Sequence, residues 1–182
     1  MNYVEPIRDL DVLESMCRYL KERNERNYIL FLMGIYTGLR VSDILRFRIR
    51  DLKGKQEIRI REGKTNKRKS IPFNPILKKA LEAYYPGKEL NDYLIKSRQG
   101  YNQPISRQMA YVILSDLGES FGVEGLGTHS MRKTFGYHYY QKTKDVALLQ
   151  TIFNHSTPGT TLRYIGIAQD DIDKAYRNFK YF

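Results

Sequence analysis

A mainly α-helical α+β fold with one small antiparallel sheet is predicted by three features of this 182-residue chain. Apolar residues recur at helical spacing through most of its length, strand-like alternation is confined to about residues 56–72, and turn-forming residues separate the periodic stretches. At 21.5 kDa the chain can bury a substantial core, and residues 1–182 are expected to form a single domain.

Residues 9–24 and 26–37 read as two amphipathic helices. The second is strongly apolar through Ile29, Leu30, Leu32, Met33 and Ile35, and Gly38 breaks it. A short helix is expected over 41–47. Residues 56–61 and 68–72 alternate as strands around Gly63-Lys64-Thr65-Asn66, which predicts an antiparallel hairpin with Lys64 near its tip. Residues 74–84 are helical, 93–96 are expected to add a short third strand, and 106–121 form a helix with an apolar stripe. Glycines 122, 125 and 127 make a loop, after which helices at about 129–141, 145–153, 159–165 and 168–179 complete the fold. No internal repeat, low-complexity tract or long linker interrupts this pattern.

The net charge is +11 and the pI about 9.6. Residues 40–80 hold fourteen Lys and Arg against Asp43, Asp51, Glu57 and Glu62, so nearly all of the excess sits in one stretch, as a phosphate-facing surface requires. The plainer reading of that stretch is a solvated basic hairpin. A single cysteine excludes an internal disulfide and suits a reducing compartment; Cys17 follows Leu10, Leu13 and Met16 at helical spacing and reads as core. The amino-terminal residues include acids and lack the apolar centre of a secretory signal. The longest apolar stretch, 28–36, falls far short of the roughly 20 residues a bilayer needs, so no membrane partner is expected and the chain is placed in the cytoplasm.

Six residues, Arg40, Lys64, His129, Arg132, His155 and Tyr164, form the set needed to break and rejoin a phosphodiester through a tyrosine without metal. A phosphodiester under attack gathers negative charge on its non-bridging oxygens, which two arginines can clamp bidentately. A phenol with a pKa of about 10 needs a base or nearby cations to act as a nucleophile at neutral pH. The departing alkoxide needs a proton, which a lysine on a rigid hairpin can deliver. His129-Ser-Met-Arg132 sets imidazole and guanidinium on one helical face, while Met131, Phe135, His138 and Tyr139 fall on the buried side, giving His138 a structural role. Asn154-His155-Ser-Thr-Pro-Gly-Thr-Thr-Leu-Arg-Tyr164 places a histidine nine residues before a tyrosine across a Pro-Gly break.

On these motifs the sequence resembles the tyrosine recombinases, the phage integrase family, whose signature near the carboxyl end is a Gly-His-Ser segment, a Thr-rich turn and the tyrosine. Thr37-Gly38-Leu39-Arg40 with Asp43, the Gly63-Lys64-Thr65 hairpin followed by Ile71-Pro72, and His129-x-x-Arg132 also match in order, over essentially the whole chain. The resemblance implies the catalytic-domain fold of that family. It implies that Tyr164 attacks the scissile phosphate to give a 3′-phosphotyrosyl link and a free 5′-hydroxyl. Arg40, Arg132 and His155 would bind the non-bridging oxygens, Lys64 would protonate the leaving oxygen, and His129 would handle the tyrosine proton. Asp43 would orient the clamp without touching DNA.

Lys67, Arg68 and Lys69 are expected backbone contacts on double-stranded DNA. No cofactor is expected, since the phosphotyrosyl bond keeps the energy of the one it replaces, and no metal: Gly63-Lys64-Thr65 lacks the earlier glycine of a P-loop, and no zinc or calcium ligand spacing occurs. A G-x-S-x-G motif is also absent.

Asn154 stands where the family usually has glycine and Gly166 where it commonly has histidine, from which altered local geometry is expected. The amino-terminal core-binding domain of most relatives is absent from these residues. Ala168, Ile172, Ala175, Tyr176 and Phe179 share one side of the last helix, which either packs against its own domain or, as the resemblance implies, docks on a neighbouring protomer; with the second, the expectation is a homo-oligomer, a tetramer, on nucleoid DNA and a monomer when free. Two other readings are open, a type IB topoisomerase-like enzyme and a non-catalytic DNA-binding remnant.

Overall fold

The computed structural model describes residues 4–181; the side chains of residues 168–170, 172 and 175 are outside the described set. Helix α1 (Leu10–Arg23) begins where the Asp9 carboxylate accepts from the Asp11 and Val12 amides. Asn24 ends α1 and starts α2 (Glu25–Thr37), its side chain accepting from the Asn27 amide at 3.1 Å. Two single-turn helices follow, α3 (Val41–Ile44) and α4 (Ile49–Leu52). Strands β1 (Glu57–Arg61) and β2 (Arg68–Pro72) pair antiparallel, with Ile58 opposite Ile71 and Arg61 opposite Arg68. Helices α5 (Pro75–Tyr84) and α6 (Arg107–Ser120) start on Asn74 and Ser106 side-chain caps. Helices α7 (Ser130–Thr143), α8 (Val146–Phe153), α9 (Pro158–Tyr164) and α10 (Ile167–Asn178) complete the chain.

Helix α2 is the axis of the domain. Ile29 to Gly34 are all buried, the all-round apolar surface of a helix enclosed by others, and α1, α5 and α7 pack against it. The main core gathers these helices with α6 and Ile58 of the hairpin. Cys17 is half-buried at its edge, where burial, with help from Glu14, pushes the thiol pKa up to about 11. A second, smaller core joins Leu149, Phe153, Ile165 and Ile167 to Phe135 and Tyr139 of α7, and it carries the tyrosine at the end of α9. Among the described residues no helix is long and apolar enough to cross a membrane.

Two expectations are corrected. The sheet has two strands: Tyr93 and Lys96 form only isolated bridges, to Arg48 and Pro104. Neighbouring Leu94 and Ile95 are both fully buried, and their backbones bond to different segments, Leu94 N–H to the Phe47 carbonyl and Ile105 N–H to the Ile95 carbonyl. Enclosure on both faces, not a ladder, accounts for the apolar run. The helix expected over 41–47 stops at Ile44, and α4 restarts the chain where Asp51 accepts from the Arg48 amide at 2.8 Å.

Gly136 marks a tight junction between α7 and the second core. A Cβ there would lie 2.7 Å from Ile165 Cγ2 and from Phe153 Cε2, so α7 meets the second core with no room for a side chain. Gly136→Val is therefore expected to lower unfolding free energy by about 1–3 kcal/mol, the usual cost of overpacking, read as a lower urea midpoint at unchanged slope.

Candidate active site

Arg132 lies at the floor of the site, 2% exposed. One terminal nitrogen donates to the Gly38 carbonyl and the other to the Phe153 carbonyl at 2.9 Å, while the guanidinium carbon sits 4.2 Å from the Phe153 ring centroid. Two loops distant in sequence, 38–40 and 153–155, are thus drawn to one side chain. They bring Arg40 and His155 with them.

Tyr164 ends α9 with its hydroxyl 3.2 Å from His129 Nδ1, and its ring is edge-on to His155 and Phe153 with centroids 5.1 and 5.6 Å away. Burial raises the phenol pKa above its ordinary value, and Arg132 and Arg40 pull against that rise. Burial lowers both imidazole pKa values, helped at His129 by Arg132, Arg40, Lys133 and Arg107 and at His155 by Arg132 and Arg40. Both shifts disfavour the protonated rings, and a neutral His129 can accept the phenol proton. Thr161 holds the Nδ1 edge of His155 at 3.1 Å.

The sequence reading assigned Asp43 to the clamp, but the structure sets it against the hairpin. Asp43 is 1% exposed; its Oδ1 accepts from the Gly63 amide at 3.0 Å and pairs with Arg46 at 3.6 Å, while its backbone N–H donates to the Arg40 carbonyl at 2.9 Å and, among the described residues, its carboxylate makes no hydrogen bond or ion pair with the Arg40 guanidinium. Arg40 instead faces Glu62, with 3.4 Å between NH1 and Oε1. Glu62 is fully buried; its other oxygen accepts from Thr65 Oγ1 at 2.8 Å and from Asn154 Nδ2 at 2.7 Å, and Lys69 Nζ stands 3.9 Å away. Burial pushes this carboxyl up, but the Thr65 hydroxyl, then Lys69, Arg40 and Arg132, outweigh it and hold the pKa below the usual value. The sequence reading counted Glu62 only as one acid in a basic stretch. Its place immediately before Gly63-Lys64-Thr65 was the available signal.

Five of the six predicted residues converge: Arg40, His129, Arg132, His155 and Tyr164. Lys64 stands apart, exposed on the turn between β1 and β2, with no hydrogen bond or ion pair among the described residues. Lys67 and Arg68 are also exposed. Lys69 is not an outward contact: its Nζ donates to the Ile152 carbonyl, tying the hairpin to the end of α8. His138 takes the expected structural role, with Nε2 2.8 Å from the Ile7 carbonyl.

Both departures from the family pattern have local reasons. Asn154 holds the left-handed conformation, φ 54°, that ends α8, and its amide reaches Glu62. Gly166 has φ 81°, and a Cβ there would lie 2.7 Å from the Arg8 guanidinium.

A buried arginine, two imidazoles and a tyrosine gathered on this helical fold match one family: residues 9–170 match the model of the phage integrase family, and the chain belongs to it. It is 44% identical over 179 residues to the probable integrase/recombinase YoeC of Bacillus subtilis strain 168, covering 98% of each chain. Among solved structures it resembles XerA recombinase, with a TM-score of 0.74 at 20% identity over 98% of this chain and 65% of that one. It also resembles XerH site-specific recombinase bound to its palindromic difH substrate in a post-cleavage complex, with a TM-score of 0.73 at 19% identity over 97% of this chain and 54% of that one. The chain thus spans about half to two-thirds of these structural neighbours.

Because Arg132 satisfies two buried carbonyls, its loss should be felt in the fold as well as the chemistry. Arg132→Leu is expected to destabilise the protein by about 1–3 kcal/mol, the cost of leaving buried acceptors unpaired, in urea unfolding without DNA.

Proposed function

We propose that the protein is a site-specific DNA recombinase or integrase that works by transesterification through Tyr164, with residues 1–182 acting as a catalytic domain. The observation that carries this reading is the Tyr164 hydroxyl 3.2 Å from His129 Nδ1 and within the field of Arg132 and Arg40. The Tyr164 oxygen bonds to the scissile phosphorus as His129 takes its proton. The bond from phosphorus to the 5′-oxygen breaks, and Lys64 delivers a proton to that oxygen. Arg40, Arg132 and His155 hold the charge on the non-bridging oxygens. Attack by a 5′-hydroxyl from another strand reverses these steps and rejoins the DNA. No nucleotide cofactor is consumed, because one phosphoester replaces another.

Double-stranded DNA is the proposed substrate, with Lys67 and Arg68 on backbone phosphates. Relatives with recombinase names and a structural neighbour solved on its DNA support this assignment. Assembly into a tetramer on DNA is proposed through α10 and the residue just after it, where Tyr176 is 83% and Phe179 64% exposed. The Ala168, Ile172 and Ala175 side chains of that stripe lie outside the described residues. Action on DNA in the cytoplasm, at the nucleoid, follows from this role.

The test is to mix the purified chain with nicked DNA spanning inverted repeats near its own gene and look for a denaturation-resistant complex. Wild type should form it and Tyr164→Phe should not; a complex formed by Tyr164→Phe would show that another residue is the nucleophile. Arg40→Ala should slow complex formation roughly 10²–10³-fold, as loss of one charge-stabilising donor does. The pH profile supplies a further check. His129 must be neutral to take the proton and its pKa is lowered, so the rate should fall only as pH drops below the ordinary histidine value of about 6.5. An acid limb centred above that value would exclude His129 as the base.

A further inference from the structure

We infer that Glu62 is a positioning residue that docks the hairpin bearing Lys64 onto the arginine clamp. The role rests on the phosphotyrosyl reading above and deepens it.

Glu62 joins three parts of the site. It is the first residue after β1, and its fully buried carboxylate faces Arg40 at 3.4 Å. Thr65, the neighbour of Lys64, donates its hydroxyl to the same carboxylate, which bends the turn back on itself. Asn154, the neighbour of His155, donates its amide. The backbone adds a closed loop, with Glu62 N–H on the Lys67 carbonyl at 3.0 Å and Asn66 N–H on the Glu62 carbonyl at 2.9 Å. Asp43 holds the same turn from the other side through the Gly63 amide.

Lys64 is exposed and makes no side-chain hydrogen bond or ion pair among the described residues, so its reach toward a leaving oxygen is set by the turn that carries it. An uncompensated buried carboxylate would be costly, and here Thr65 and Asn154 donate to one oxygen while Arg40 and Lys69 face the other as ion pairs. A single group therefore couples the general acid, the clamp and the His155 loop. Asn154 also gains a purpose: a glycine would supply its left-handed backbone but not the amide that reaches Glu62.

The role can be separated from mere stability by changing the leaving group. When the bridging 5′-oxygen is replaced by sulphur, the phosphorus–sulphur bond breaks to release a thiolate, which needs no proton from Lys64. Thr65→Val removes the link between Glu62 and the turn and leaves Arg40 in place. On the ordinary oxygen ester it should form the covalent complex roughly 10²-fold more slowly, within the span a general acid contributes. On the sulphur ester it should match wild type, and Thr65→Ser should match wild type on both. Glu62→Gln should be slow on both esters, more so on oxygen, because it frees Arg40 as well as the turn.

Equal slowing of Thr65→Val on the two esters, or a wild-type rate on oxygen, would overturn the positioning role. So would full activity of Glu62→Gln on oxygen. Should Glu62→Gln fail to fold, the Thr65 pair still decides. Failure of the wild-type chain to form any covalent complex would instead strike the phosphotyrosyl reading itself.

Discussion

The site depends on one buried cation. Arg132 is almost wholly removed from water, which strongly disfavours an ionised group unless hydrogen bonds and opposite charges answer it. The answer comes from the Gly38 and Phe153 carbonyls and from the field of Glu62 and Asp43. Each of these groups stands on a segment that also bears, or borders, a proposed catalytic residue. Satisfying one guanidinium therefore assembles the loops of Arg40 and His155 around it.

The same electrostatics reconcile two opposed demands on Tyr164. Packing its ring between His155 and Phe153 fixes where the hydroxyl stands but removes water from it, and that alone makes the phenol harder to ionise. Arg132 and Arg40 act in the other direction at the same oxygen. The amino-terminal segment reinforces the placement from outside. Ile7 N–H donates to Thr134 Oγ1 at 2.9 Å, Lys133 reaches the Val4 carbonyl, and Arg8 lies against Gly166 just past the tyrosine. The residue that relatives commonly fill with histidine is thus occupied by a strap from the other end of the chain.

Much of this was legible in sequence because its signals are local. Helix periods, the Asn24 junction, the hairpin turn and the spacing from His155 to Tyr164 are set by residues a few positions apart. The third strand was misread because Leu94 and Ile95 are apolar for enclosure on both faces, which a short run cannot distinguish from a ladder. The pairing of Glu62 with Arg40, Asn154 and Thr65 was hidden for a different reason. It joins residues up to 92 positions apart, and no residue type announces a carboxylate that will be buried. Asp43 was expected to orient the clamp because the family resemblance places an acid there; its carboxylate accepts from Gly63, and its charge also acts on Arg132.

The two halves of the proposed reaction are unequally prepared. On the nucleophile side the Tyr164 hydroxyl already stands 3.2 Å from His129, its ring is held by a packed core, and Arg132 is fixed by buried hydrogen bonds. On the leaving-group side Lys64 rides an exposed turn anchored to the site through Glu62 and Asp43. Proton donors commonly tighten onto their targets only when substrate is present. A basic hairpin flanked by Lys67 and Arg68 gains most of its attraction from the phosphates it would cover. DNA bound across the hairpin would thus carry Lys64 toward the leaving oxygen. Cleavage would then be coupled to the seating of substrate, because the nucleophile could be ready without DNA while the acid could not.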